Sequence, residues 1–132
     1  MTLSTTIAAI ERLASAHRSA AIPVLRELEL SETEGALLWA LGNQSLTMGA
    51  AANAISCDPS NLTVLARHLE SLGLAERVDD PDDRRRRRLQ LTAGGRDTVG
   101  RLMHALEAST PLEALTSDER ATLELLLSKT TN

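Results

Sequence analysis

The chain has 132 residues, 42% hydrophobic and 24% charged, with 14 Lys and Arg against 18 Asp and Glu for a formal net charge of −4. That composition suits one globular domain rather than a disordered chain, and a single Trp with no Phe or Tyr excludes the stacked-aromatic surfaces that grip single-stranded nucleic acid. Cys57 is the one cysteine, so no internal disulfide forms; with no apolar run near the ~18 residues of a membrane span and no signal-like N-terminus, the expected location is the cytoplasm and no membrane partner is expected.

Leu3, Ile7, Ile10, Leu13 and Ala14 recur at three- and four-residue steps and predict a helix over residues 3–18. Pro23 is expected to interrupt it, because proline lacks the N–H that a helix interior requires. Ser31-Glu32-Thr33-Glu34 has the form of a capping box, opening a helix that carries Leu37, Leu38 and Leu41 and stops at Gly42-Asn43. Thr47 caps a short helix of small residues over roughly 48–55. Asp58-Pro59 then starts another, with Leu62, Leu65, Ala66, Leu69 and Leu72 as its stripe and Gly73 as its stop. Two helices so closely spaced, the second strongly capped, form a helix-turn-helix.

The period then changes. Leu74 to Val78 alternates as a strand does, Asp79-Asp80-Pro81-Asp82-Asp83 is a turn cluster, and Arg87, Leu89 and Leu91 share one parity of a returning strand. Thr92-Ala93-Gly94-Gly95 restarts a helix running to about Ala108, Pro111 breaks it, and Thr116 to Glu119 is a second capping box before a last helix carrying Leu123, Leu126 and Leu127. The fold class is therefore mainly α with a small β-hairpin wing, a winged helix-turn-helix over 30–95 flanked by helical regions 1–29 and 96–132.

Charge is unevenly placed within this order. Asp58 to Arg96 holds 8 basic and 7 acidic residues, a balance of +1, leaving 6 basic and 11 acidic elsewhere. Five consecutive arginines, Arg84 to Arg88, lie on the hairpin. A phosphate backbone responds to such a local field rather than to the global sum. The second helix of the pair places Ser60, Asn61 and Thr63 near its N-terminus, with Val64 and Arg67 one turn on, all off the leucine stripe. Asn suits adenine, Val a thymine methyl, and Arg a phosphate or base. Arg84 and Arg85 fall at the expected wing tip, where arginine enters a minor groove. Asp83 is expected to hold one arginine by a bidentate pair, and Arg86 to Arg88 to line phosphates or stand in solvent. A solvated helix face and charged loop are the plain alternative for these residues.

The run Asp80-Pro81-Asp82-Asp83-Arg84-Arg85, followed by Leu89-Gln90-Leu91-Thr92-Ala93-Gly94-Gly95, and preceded by Asp58-Pro59-Ser60-Asn61-Leu62-Thr63 and Leu69-Glu70-Ser71-Leu72-Gly73-Leu74, resembles the MarR family of winged-helix transcriptional regulators, whose pattern D-P-x-D-R-R-x(3)-L-x-L-T-x-x-G is met at each fixed position. The resemblance extends to the flanking helices. It implies an obligate homodimer interleaved through both terminal regions and a pseudo-palindromic double-stranded operator. It also implies repression, often released by a small lipophilic or aromatic effector or by oxidation. It puts Ser60, Asn61, Thr63 and Val64 in the major groove and Arg85 in the minor groove, with Arg77 and Asp83 bracing the wing. Ser56 replaces the family's usual turn glycine, Ala51 a common leucine, and Arg87 stands at a wing position that is often apolar.

Other residues point to no further chemistry. Cys57 reads as a small turn residue, and His17, His68 and His104 share no ligand spacing, so neither metal nor cofactor is expected. Trp39 lies off its helix stripe, and packing between helices is favoured over walling an effector pocket near Pro23 and Met103. Without a nucleophile elbow, phosphate loop or carboxylate pair, an enzyme is not expected. The competing function is a winged-helix module that has lost operator binding and holds an acidic protein partner, as the net negative charge would suit.

Overall fold

A computed structural model describes residues 1–131; Asn132, the end of the expected 96–132 region, lies outside them. The described residues form α1 (Leu3–Glu27), α2 (Glu32–Leu41), β1 (Leu46–Thr47), α3 (Met48–Ala54), α4 (Pro59–Ser71), β2 (Ala75–Asp79), β3 (Arg87–Leu91), α5 (Ala93–Glu107), a 3₁₀ turn (Pro111–Ala114) and α6 (Ser117–Ser128). The mainly helical class with a β wing is as the sequence predicts. Capping boxes at Ser31–Glu34 and Thr116–Glu119 open α2 and α6 as expected, and Gly42 (φ +47°) and Gly73 (φ +73°) end α2 and α4 in the left-handed region.

Three expectations are corrected. First, α1 does not stop before Pro23 but continues through it as a helix of 25 residues. Proline costs a helix interior about 3 kcal/mol; here Ala21, Val24, Leu25 and Leu28 on either side of it pack onto the core, and burial of that stripe offsets the lost hydrogen bond. Second, the sheet has three strands, in the order β1-β3-β2, all antiparallel. β1 is two residues long, too short to show a period, and is defined only by its partners: Leu46 faces Leu89 and Thr47 faces Arg88. Third, Asp58 occupies the N-cap position of α4, but its carboxylate makes no capping hydrogen bond.

The core is built almost wholly of leucine and alanine. Leu37, Leu38 and Leu41 of α2, Leu62 and Leu69 of α4, and Leu89 of β3 are fully enclosed, with Ala51, Ala52 and Ala66 between them. Small residues on α3 and α4 let these helices come close without aromatic filler. At Ser56, in the turn between α3 and α4, φ is +53°, the left-handed conformation that explains why glycine is usual there.

The tightest junction joins the wing to α5. The Thr92 N–H donates to Leu74 O at 3.1 Å, while Thr92 Oγ1 accepts from the Gly95 N–H as the N-cap of α5. This brings Gly95 so close to the Leu74 carbonyl that a Cβ built on it would lie 1.9 Å from that oxygen, whereas one on Gly100, on the same helix, would meet nothing within 4 Å. Gly95→Ala is therefore expected to destabilise the chain by at least the ~1–3 kcal/mol typical of overpacking. Gly100→Ala should stabilise it by about 0.5–1 kcal/mol through helix propensity. Thermal melts of the two variants followed by circular dichroism check the opposite signs.

Candidate nucleic-acid interface

The N-terminal half of α4 presents Ser60, Asn61, Val64 and Arg67 to solvent, while Leu62, Ala66 and Leu69 are buried behind them. Val64 is 66% exposed, an apolar side chain with no intramolecular reason to face water. Thr63 differs from its neighbours: it is half-buried, and its Oγ1 donates back to Pro59 O at 3.0 Å, so its hydroxyl is engaged within its own helix.

Two contacts hold the C-terminal end of α4. Glu34, buried at the start of α2, accepts the Ser31 N–H on one oxygen and meets His68 Nδ1 of α4 with the other. An ionised carboxylate can only accept, so the shared proton belongs to Nδ1. Burial acts to raise the Glu34 carboxyl, but the Ser31 N–H and the His68 ring outweigh it and hold it below the ordinary glutamate value. Two residues further along α4, Arg77 Nε of β2 donates to Glu70 Oε1 at 2.8 Å. The Arg77 Nη2 is buried with no hydrogen-bond partner among the described residues, so this arginine is committed to packing between α4 and the hairpin.

The wing tip is a turn with Arg84 and Arg85 at its centre, both exposed. The geometry corrects the expected role of Asp83. It makes no contact with Arg77 and no bidentate pair with Arg84; its Oδ1 accepts the Arg85 backbone N–H at 2.9 Å, and its Oδ2 lies 3.7 Å from Arg86 Nε. Holding the backbone of Arg85 leaves its guanidinium free. The five arginines divide by their surroundings. Among the described residues Arg84 and Arg85 have no ion-pair partner. Arg86 pairs with Asp83, and Arg87 with Asp79 at 3.5 Å, both in solvent, where such pairs contribute about 0–1 kcal/mol. Arg88, expected at phosphates or in solvent, instead turns toward the protein. Its Nε donates to Ser45 Oγ at 2.9 Å and its Nη2 to Ser45 O at 2.7 Å, with Nη1 3.6 Å from Asp80 Oδ2. Sequence reasoning missed Arg88, Asp80 and Ser45 because an arginine run carries no mark of which member points inward.

Other singled-out residues are placed as follows. Trp39, expected to be packed, is 45% exposed and separates two hollows. One, of about 340 Å³, lies among α1, α2 and α5 and is lined by Ala21, Leu25, Trp39 and Leu102 with His17 and Arg18. The other, about 240 Å³, includes Met103 and Val99 but not Pro23. His17 Nε2 is 2.7 Å from Thr110 Oγ1, joining α1 to the segment before the 3₁₀ turn. Cys57 is half-buried, its Sγ 3.4 Å from Asp58 O. No described helix is long and apolar enough to cross a membrane.

Comparison with known proteins agrees with this architecture. The MarR-family model matches residues 28–86. No curated protein matches the chain in sequence. Among solved structures, a mutant MepR from a multidrug-resistant S. aureus clinical isolate superposes with a TM-score of 0.78 at 23% identity, over 98% of this chain and 95% of that one. A mutant of E. coli MarR complexed with operator DNA gives 0.64 at 25% identity, over 100% of both chains. NadR in complex with 4-hydroxyphenylacetate gives 0.74 at 24% identity, over 97% of this chain and 90% of that one.

The seat of α4 has a pH signature. A carboxyl held lower in the folded than in the unfolded chain stabilises the fold above its unfolded value and loses that contribution as pH falls through the folded one. The Glu34 contribution is thus complete above pH about 4.5 and lost on acidification below it. Glu34→Gln, which keeps a capping-competent amide, is expected to lower the melting temperature at pH 7 and to flatten its dependence below pH 4.5, as measured by melts across pH 3–7.

Proposed function

We propose that this chain, a winged helix whose residues 28–86 match the MarR-family model, is a homodimeric repressor. In this reading it reads the major groove of a pseudo-palindromic operator with α4 and the minor groove with the wing. The observation that carries the reading is the pair of unengaged surfaces on one shared core. The polar front of α4 is open to solvent, and Arg84 and Arg85 at the wing tip have no ion-pair partner among the described residues, in a segment where the other arginines are paired. Asn61 suits an adenine edge, Val64 a thymine methyl, Ser60 and Arg67 the flanking phosphates or bases, and Arg85 the minor groove. Arg86 adds charge near the backbone, and Thr63 contributes through its methyl group while its hydroxyl stays on Pro59.

Dimerisation through the terminal regions 1–29 and 96–132 is supported by their uncovered apolar faces. Leu3, Ile7 and Ile10 of α1 are 83%, 60% and 49% exposed, and Leu125 and Leu126 of α6 are 61% and 53% exposed. Patches of this kind on terminal helices mark an interface. A second copy of the chain covers them in this reading and sets the spacing of two α4 helices on consecutive turns of DNA.

The hollow beside Trp39 is the proposed effector site. Its volume lies in the range of small-molecule sites, its walls are mostly apolar, and Arg18 offers a cationic group to an acid, with Glu32 and the His17 ring also on the lining. NadR binds 4-hydroxyphenylacetate, a molecule of this class. The hollow lies where α1, α2 and α5 meet, so its occupant bears on how the terminal helices sit against the winged helix.

Arg85→Ala is expected to weaken binding to the selected duplex and to lower the slope of log affinity against log salt by about 1, with the thermal melt unchanged. Asn61→Ala should relax base preference at one position by about 1–3 kcal/mol. Gel shifts over a salt series and in vitro selection measure both. A wild-type chain with no affinity for any duplex at low salt would overturn the repressor reading in favour of a protein-interaction module. For the effector, titration with 4-hydroxyphenylacetate is expected to change the emission of Trp39, the chain's only tryptophan. It should also raise the melting temperature, by the equivalent of about 2.7 kcal/mol at a hundredfold excess over Kd; unchanged emission and melting would remove the hollow from the mechanism.

A further inference from the structure

We propose that Arg88 is a positioning residue of the wing, turned inward to set the base from which Arg84 and Arg85 project, and that it makes no contact with DNA itself. The inference rests on the DNA-binding reading above but concerns a residue that reading does not use.

Arg88 sits on the central strand, opposite Thr47 of β1 on one side and Val78 of β2 on the other. Its side chain is 28% exposed, against 69% and 60% for Arg86 and Arg87. Two of its nitrogens are spent on Ser45, in the loop before β1, and the third faces Asp80. Asp80 is buried, and its other carboxylate oxygen and its backbone N–H tie the wing turn. Its Oδ1 accepts the Asp82 N–H at 3.0 Å, and its own N–H donates to Arg86 O at 3.2 Å. A continuous path therefore runs from Ser45 through Arg88 and Asp80 to the two ends of the wing tip. A buried carboxylate left without a cation is costly, so Arg88 both satisfies Asp80 and fastens it to a loop outside the hairpin. A two-stranded ribbon standing alone is marginal in water, and this path supplies the outside anchorage.

Arginine is needed for geometric reasons. The planar guanidinium addresses the Ser45 hydroxyl, the Ser45 carbonyl and the Asp80 carboxylate from three nitrogens held in one plane, while a lysine ammonium is a single point that cannot span them. Lysine, however, serves a phosphate as well as arginine does as a point charge. The conservative substitution therefore separates the two roles.

The test compares wild type, Arg88→Lys and Arg88→Gln. Affinity for one palindromic duplex is measured over a salt series, and backbone hydrogen exchange at Asp80 and Asp82 is measured in the free protein. Arg88→Lys is expected to bind about tenfold more weakly at fixed salt, equivalent to about 1.4 kcal/mol, and to exchange these amides at least about tenfold faster. Arg88→Gln should show the same losses with the wild-type salt slope. Wild-type affinity or wild-type exchange in Arg88→Lys overturns the proposal, as does a slope lowered by about 1 in Arg88→Gln, the mark of a lost phosphate contact. If wild type binds no duplex, the repressor reading fails separately, and exchange alone decides whether Arg88 orders the wing.

Discussion

Leu62 and Leu69 of α4 and Leu89 and Leu91 of β3 sink into one core shared with Leu37, Leu38 and Leu41 of α2. Everything at the surface depends on that sharing, because the helix and the hairpin have no independent means of support. A 13-residue helix is marginal alone, and so is a hairpin of two five-residue strands. Buried together, they become one body, so the front of α4 and the tip of the wing keep a fixed separation. Aromatic side chains are absent from this core, and close approach takes their place: alanines between helices, and Gly95 against the Leu74 carbonyl.

Polar contacts then adjust what the core has placed. Glu34 reaches His68 on α4, Glu70 reaches Arg77 on β2, and Asp80 meets Arg88 on β3. Each joins two elements that are distant in sequence or separated by a turn, and in each the acid is buried or half-buried. Such pairs contribute less to net stability than to geometry, since desolvation consumes much of their Coulomb energy. The net charge of −4 is consistent with this arrangement. Glu70 and Asp80 face arginines turned into the fold, and Asp79 and Asp83 face Arg87 and Arg86, so Arg84 and Arg85 carry the unpaired charge at the wing tip.

The terminal helices follow a different logic. The first turns of α1 and all of α6 bury almost nothing within one chain, yet α1 carries Leu3, Ile7 and Ile10 and α6 carries Leu123, Leu126 and Leu127 at helical spacing. Apolar faces at the two ends of the chain, beside a winged helix that is well packed on its own, match the proposed division of labour between assembly and recognition. The hollow walled by Trp39 lies at the boundary between these two parts.

Local signals in the chain were enough to read the element order, the capping boxes, the glycine stops and the candidate reading helix, because each is written in contiguous residues: a hydroxyl three positions before a glutamate, a leucine every third or fourth place, a Pro after an Asp. The D-P-x-D-R-R run and its T-x-x-G partner likewise marked the wing. Continuation of α1 through Pro23, the two-residue strand β1, the exposure of Trp39 and the separate duties of five adjacent arginines were settled only in three dimensions. Each depends on a neighbour remote in the chain: the core beneath Leu25, the partner strand of Leu46, the helices around Trp39, and Ser45 beside Arg88. A period in sequence states which way a side chain points relative to its own backbone; what it meets there is fixed by packing, and for a charged group that encounter decides whether it is a strut or a free hand.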